Sequence, residues 1–367
     1  MAIQRITADT AIERLASFDA VIDARSESEF AEDRLPGARN WPSLDDAERA
    51  EIGTVYKQVS AFEARKRGAV LVARNIARHL EQHVVNAAPA LPREWAPLVY
   101  CWRGGQRSGA LATVLDAIGF RVHVLEGGYR EFRRAVLREL EVLPARLGFH
   151  VLCGRTGSGK SRLLGVLAEA GAQVLDLEAL ASHRGSVLGP LPGQPQPSQK
   201  AFETALWTAM RRFDPARAVW AESESRTIGR LRVPEALLER LRAAPCLAIE
   251  MPLPARVRLL LQDYGHFVQD TESFCERLAA LRELRGAETV GRWQALARAG
   301  DHAQVVEELL LQHYDPIYQR SMSRNYAGFA AAQPLELRSG DEAELAAAAR
   351  ALCALHALRA QSANTAA

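Results

Sequence analysis

The chain has 367 residues, 48% of them hydrophobic and 25% charged, which is the composition of a soluble globular protein long enough for two ordinary domains. Its 46 Lys and Arg nearly balance 44 Asp and Glu, and the net charge of +2 excludes a strongly basic protein, so any nucleic-acid footprint must be a local patch. No apolar run approaches membrane-spanning length and the five cysteines have no scaffold spacing, so a cytoplasmic protein with free thiols is expected and membrane association is not.

In chain order, an apolar strand is predicted at residues 20–23, a polar helix at 27–32 and a turn at 35–38. A long helical region follows over 47–85, interrupted near Gly68. Within it, from Tyr56 to His79, Lys57, Arg65, Lys66, Arg67, Arg74 and Arg78 stand against Glu63 alone, with Tyr56 and Phe62 interleaved, a pattern suited to following phosphates. A proline-rich connector at 87–97 leads to the strand Val99-Tyr100-Cys101, which turns through Trp102-Arg103-Gly104-Gly105-Gln106-Arg107 into a helix expected from Ser108 to 118. Backbone N–H groups, a helix N-terminus and the Arg103 and Arg107 guanidiniums would then converge on one sulfur, and all of them favour thiolate over thiol. Cys101 is therefore the candidate nucleophile, in an anion-binding loop of Gly104, Gly105, Gln106 and Ser108. A strand at 121–125 and an arginine-rich helix at 129–143, with Arg133 and Arg134, close a first domain placed at residues 1–138.

The alternation of strand and helix restarts in a second domain, placed at residues 139–367. Strands are predicted at 149–153, 173–177, 218–221, 246–251 and 334–338, giving an α/β protein with a parallel sheet in each half and a helical C-terminal region from 254 to 311. Directly after the first of these strands runs Gly154-Arg155-Thr156-Gly157-Ser158-Gly159-Lys160-Ser161, which fits the Walker A pattern at every defined position. Its glycines let the backbone close on a phosphate chain, Lys160 supplies a point charge, and Ser161 can reach a magnesium ion. An acid at the end of the 218–221 strand would complete a magnesium site, with Glu222, Glu224 and Asp176 as candidates. Arg184 and Lys200 lie where the strands of an open α/β sheet end and are further candidates for a substrate shell. The proline-rich stretch Gly189-Pro190-Leu191-Pro192-Gly193-Gln194-Pro195-Gln196-Pro197 is a loop, and a helix at 343–358 precedes a frayed end at 361–367.

The first half resembles a rhodanese domain in Asp23-Ala24-Arg25, Leu35-Pro36-Gly37-Ala38-Arg39-Asn40, the Cys101 loop and Glu126-Gly127-Gly128-Tyr129. It departs from that family in its loop, where five residues separate Cys101 from Arg107, the spacing of tyrosine phosphatases and a wider anion cradle. With the Walker A motif behind it, and with His183-Arg184-Gly185-Ser186, Pro197-Ser198-Gln199-Lys200 and Glu222-Ser223-Glu224-Ser225-Arg226-Thr227-Ile228-Gly229, nearly the whole chain resembles the tRNA 2-selenouridine synthase family. The resemblance implies exchange of sulfur for selenium in wobble 2-thiouridine of tRNA, through an S-geranylated uridine. Geranyl diphosphate and selenophosphate would be its substrates, with no permanently bound cofactor and with Mg2+ as a candidate ion. It also makes Cys101 the essential thiol of the selenation step.

Three other readings of the same residues make different predictions. An ATP-dependent sulfurtransferase would turn over ATP without selenophosphate, and a cysteine phosphatase would release phosphate from an aryl phosphate through Cys101. A non-catalytic nucleotide switch would keep its function after Cys101→Ala.

Overall fold

The computed structural model describes residues 3–185, 189, 193–265 and 269–365. Ser186 and Pro190, Leu191 and Pro192, named above, lie outside the described residues. The chain packs as two units, Met1–Glu139 with Pro197–Thr204, and Leu140–Gln196 with Ala205–Ala367. The Pro197–Thr204 segment, expected in the second domain, thus belongs with the first unit.

The first unit is built on a parallel sheet of β1 (Gln4–Ile6), β2 (Ala20–Asp23), β3 (Ala38–Asn40), β4 (Pro97–Tyr100) and β5 (His123–Leu125), in the order β1-β5-β4-β2-β3. Strand β4 is buried at all four positions, as a central parallel strand covered on both faces must be. Around the sheet lie α1 (Ala8–Glu13), α2 (Glu27–Glu32), α3 (Asp46–Gln58), α4 (Ala61–Leu80), α5 (Gln106–Ile118) and α6 (Tyr129–Val142). Ile22, Val99, Leu111, Leu115 and Val124 form the centre of the core.

The sequence reading needs correction at the long helical region. The break falls at Val59 and Ser60 rather than at Gly68, because the Ser60 hydroxyl accepts from Glu63 N at 3.0 Å and starts a new helix. Gly68 is interior to α4 and buried, and a Cβ there would stand 3.6 Å from the Ile52 side chain, so the glycine marks the crossing of α3 and α4.

The second unit repeats the plan with β6 (Phe149–Gly154), β7 (Gln173–Leu175), β8 (Val219–Glu222), β11 (Cys246–Glu250) and β12 (Gln333–Glu336), in the parallel order β12-β11-β6-β8-β7. A small antiparallel pair, β9 (Thr227–Ile228) and β10 (Leu231–Arg232), was not foreseen. The helices that matter to the site are α7 (Lys160–Glu169), α8 (Leu177–Ala181), α9 (Gln199–Arg211), α10 (Glu235–Ala243) and α11 (Leu253–Asp263). Further helices follow at Thr271–Ala279, Ala287–Arg298 and His302–Leu309, within the helical region expected over 254–311, and another at Asp315–Asn325 lies beyond it. The last helix spans Glu342–Thr365, so it continues past residue 361, where fraying was expected. Among the described residues no helix is long and apolar enough to cross a membrane.

Candidate functional site

Each unit carries one site at the C-terminal end of its sheet, where an open parallel sheet gathers its loops. In the first unit Cys101 follows β4 and is 3% exposed. Helix α5 starts at Gln106, two residues earlier than expected, with Gly105 as an N-cap that offers no side chain to the helix N–H groups. Ser108, fully buried, donates its hydroxyl to Cys101 Sγ at 3.2 Å. The loop therefore presents a sulfur at its floor with one O–H donor and a helix N-terminus beside it.

Two glycines in the turn after β5 make this loop feasible. Gly128 has φ +61°, and a Cβ there would stand 2.2 Å from Cys101 O and 2.4 Å from Gly104 N. The turn is pinned from above, since Tyr129 N donates to Cys101 O at 2.8 Å and Arg130 N to Trp102 O at 3.2 Å. Gly128→Ala should cost at least about 2 kcal/mol, because it combines a left-handed backbone with a clash against main chain. Thermal unfolding should show a fall of roughly 4–8 °C. An unchanged melting temperature would mean that the turn and the Cys101 loop part easily.

The two loop arginines behave differently from each other. Arg107 Nη1 donates to Glu29 Oε2 at 2.7 Å, and Arg49 reaches the same carboxylate at 3.4 Å. Burial would raise the Glu29 pKa, but the Arg107 guanidinium outweighs it and holds the carboxyl below its usual range. Arg107 thus braces the loop from outside, and the Arg107 carbonyl accepts from Ser43 Oγ at 3.1 Å. Arg103 is exposed at the loop rim. Lys200, a candidate for the substrate shell at the strand ends of the second domain, opens α9 within the first unit, with Nζ 2.7 Å from Glu32 Oε1 and 6.0 Å from the Trp102 ring centroid. Next to it Asp33 is buried and accepts from Tyr129 Oη at 2.7 Å and Thr204 Oγ1 at 3.0 Å, and burial raises its pKa.

In the second unit the Gly154–Ser161 loop joins β6 to α7, with Gly157 at φ +79° and Gly159 at φ +82°. Lys160 Nζ folds back to donate to Gly154 O at 2.7 Å and lies 5.7 Å from the Tyr318 ring centroid. Gly154 N in turn donates to Tyr318 Oη at 2.5 Å. Arg256, 2% exposed, donates through Nε to Thr156 O at 2.9 Å and grips Asp315 with both terminal nitrogens, at 2.9 and 2.6 Å. Arg155 is exposed, 3.9 Å from Asp315. The Ser158 hydroxyl is buried with no hydrogen-bond partner. It lines a cavity of about 460 Å³ together with Gly154, Met251, Arg256, Tyr318 and Leu337, a size that holds a small ligand.

Ser161 Oγ donates to Glu178 Oε2 at 3.0 Å and lies 3.3 Å from Glu222 Oε2. Glu178, Glu222 and Glu224 each offer an oxygen within 4.8 Å of the others, the one such group among the described residues. Glu222 is fully buried at the end of β8, and burial first, then Glu178 and Glu224, push its carboxyl well above the ordinary value. Burial and Glu178 bring Glu224 from 4.5 to about 8, and burial raises Glu178 against the pull of Lys160. Three carboxylates that raise one another at the Walker serine fit a divalent cation, whose charge would allow all three to ionise. Gly185 backs this group, since a Cβ there would stand 2.9 Å from both Glu178 Oε1 and Glu224 Oε1.

The structure thus brings Glu222 and Glu224 to Ser161 and sets Asp176 directly behind the trio, hydrogen-bonded to Glu222. Asp176 caps α8 by accepting from Ala179 N at 2.8 Å. Glu178 takes the place foreseen for it; the sequence signal, an acid two residues further along the same loop, was available but indistinct. Arg184 sits over the Tyr264 ring and 3.9 Å from Asp263, and its charge reaches Glu178 and draws that carboxyl's pKa down. Arg256 and Tyr318 went unnoticed, because they reach the phosphate loop from positions about 100 and 160 residues away, as the separations of their bonds show.

Comparison with known proteins adds an independent line. Residues 147–289 match the family described as the tRNA 2-selenouridine synthase AAA domain, and residues 7–135 match the rhodanese-like domain. The chain is 33% identical over 335 residues to the tRNA 2-selenouridine synthase of Alcanivorax borkumensis, covering 83% of this chain and 90% of that one. It is 32% identical to the proteins of the same name from Shewanella halifaxensis and Bdellovibrio bacteriovorus, with 83% of this chain and 89% of each relative covered.

Proposed function

The chain belongs to the tRNA 2-selenouridine synthase family, an enzyme family acting on tRNA, and from that premise we propose the two half-reactions its two sites perform. The substrate is 2-thiouridine at the wobble position, in the cytoplasm. The first half-reaction joins the thiouridine sulfur to C1 of geranyl diphosphate; the C–O bond to the diphosphate breaks and diphosphate leaves. In the second, the Cys101 thiolate adds to C2 of the geranylated uridine and expels geranyl thiol, the selenium of selenophosphate then displaces Cys101 from C2, and water breaks the Se–P bond to release phosphate and leave 2-selenouridine. The observation that carries this reading is that one chain holds two anion cradles, a glycine loop with Lys160 and a cysteine loop with a helix N-terminus.

Lys160, Ser161 and the backbone of Gly157–Lys160 bind and orient the diphosphate and disperse the charge that grows on it as it leaves. Glu178, Glu222 and Glu224 would hold Mg2+, which when bound supplies further positive charge next to that leaving group. At the other site selenophosphate, a bulky anion, is received by the Cys101–Ser108 loop, and the Cys101 sulfur acts as the nucleophile, with the Ser108 hydroxyl as its donor. Arg103 at the rim meets the incoming anion, while Arg107 keeps the loop in place through Glu29.

The test is direct. The protein is incubated with 2-thiouridine-containing tRNA, geranyl diphosphate and selenophosphate, the tRNA is digested, and the nucleosides are identified by mass spectrometry. Omitting selenophosphate should leave S-geranyl-2-thiouridine, and the complete mixture should give 2-selenouridine. If neither nucleoside forms, the reading fails.

A further inference from the structure

Between β3 and β4 the first unit inserts the helical hairpin of α3 and α4, and its outer surface is unusual in two respects. Tyr56, Val59, Phe62 and Val70 are 62%, 66%, 66% and 59% exposed, although aromatic and branched side chains belong inside a monomeric protein. Exposed Ala69, Ala73 and Ala77 continue the α4 face that holds Phe62, so a partner can approach the helix closely there.

The exposed face of α4 carries charge of one dominant sign, and its arginine stripe lies about 140° round the helix from Phe62, at the other margin of that face. Arg67, Arg74 and Arg78 are exposed on α4, and at 3.6 residues per turn they fall within an arc of about 40°, a straight stripe roughly 16 Å long. Lys57, Arg65 and Lys66 are exposed at the near end of the hairpin, with Lys66 Nζ 5.3 Å from the Phe62 ring centroid. On α3 a groove of about 540 Å³ runs between Arg49, Gly53, Thr54 and Lys57. Several of the acids present are engaged locally. Glu63 pairs with Lys66 at 2.7 Å, Asp46 accepts from Ser28 Oγ at 2.6 Å, and Glu48 accepts from Asn75 Nδ2 at 2.6 Å.

The hairpin is also continuous with the Cys101 site. Arg49, at the groove, and Arg107, in the cysteine loop, share the Glu29 carboxylate, and Ser43, just before α3, donates to the Arg107 carbonyl.

We propose that the α3–α4 hairpin is the docking surface for the tRNA, with Lys57, Arg67, Arg74 and Arg78 on phosphates and Tyr56 and Phe62 as platforms on which unpaired loop bases stack. Cations beside exposed rings are what a single-stranded RNA loop requires, because its phosphates remain charged while its bases present free π-faces. A partner protein or a second copy would use the apolar strip but would gain nothing from a one-sign rim. The inference rests on the reading that this chain acts on tRNA.

The experiment measures binding of fluorescent tRNA by anisotropy as a function of salt. It compares the full-length wild type, the triple variant Lys57→Glu/Arg67→Glu/Arg74→Glu and the double variant Tyr56→Ala/Phe62→Ala. All positions are exposed, and melting temperatures check that the fold is kept. The charge variant should bind roughly 100-fold more weakly, with a log–log salt slope flatter by about 2–3, since each lost phosphate contact removes about 0.7–0.9. The aromatic variant, which removes two stacking platforms, should bind at least roughly 30-fold more weakly with an unchanged slope. Equal affinity of all three proteins overturns the proposal. So does a dimer that either variant dissociates in sedimentation without loss of tRNA affinity, which would make the face a contact between copies. If the wild type binds no tRNA, the proposed function itself fails, and that outcome is distinct from the other two.

Discussion

Replacing Cys101 by alanine should abolish formation of 2-selenouridine, a loss of at least about 10³-fold, while S-geranyl-2-thiouridine still accumulates. A sulfur nucleophile has no substitute in its loop: Ser108 is the nearest hydroxyl, and its oxygen is already the donor to Cys101 Sγ at 3.2 Å. The geometry also predicts the outcome for Cys101→Ser. Serine fits the same buried space, but a hydroxyl ionises far less readily than a thiol, so selenation should be lost although the loop folds. Nucleoside analysis of the digested tRNA separates the two steps. Loss of both products in Cys101→Ser would show that the thiol also serves the geranyl transfer and would overturn the assignment of one step to each site. Retention of selenation would remove Cys101 from the chemistry altogether.

Both loops were legible in the sequence because each is local. A strand, a run of glycines and a helix lie contiguously around Cys101 and again around Lys160. What sequence could not supply were partners brought in by the fold. Arg107 looks like an anion ligand from its spacing to Cys101, yet the fold places the carboxylate of Glu29, 78 residues away, against its guanidinium. Asp176 and Glu178 are equally acidic and nearly adjacent, and only the start of α8 distinguishes them. That start uses the first as a cap and turns the second toward Ser161. The break between α3 and α4 lies away from Gly68 because glycine is only a general helix breaker, whereas here it is carried inside α4 facing Ile52 and the Ser60 cap sets the break.

The trio of Glu178, Glu222 and Glu224 leads to the second large effect. Without a cation these groups have raised pKa values in the folded chain, Glu224 at about 8, whereas in the unfolded chain they ionise near 4.5. Over that interval the folded state binds more protons than the unfolded one, so the metal-free protein should lose stability as pH rises from about 5 to 8, on the order of a few kcal/mol. Added Mg2+ should oppose the loss, raising stability by RT ln(1 + [Mg2+]/Kd), about 2.7 kcal/mol at one hundred times the dissociation constant. Because the ion must displace protons, its affinity should rise by up to tenfold per pH unit for each proton displaced below pH 8. Glu222→Gln removes a fully buried carboxyl at the centre of the trio. This variant should melt at a higher temperature than wild type at pH 8 without metal, should not respond to Mg2+, and should geranylate tRNA at least about 10²-fold more slowly. Thermal melting at pH 6 and pH 8 with and without Mg2+, alongside the geranylation rate, tests all three expectations. A wild-type melting temperature that Mg2+ leaves unchanged at pH 8, or one that it raises equally in Glu222→Gln, would mean that the carboxylates hold no ion and that Lys160 and the backbone act alone on the diphosphate.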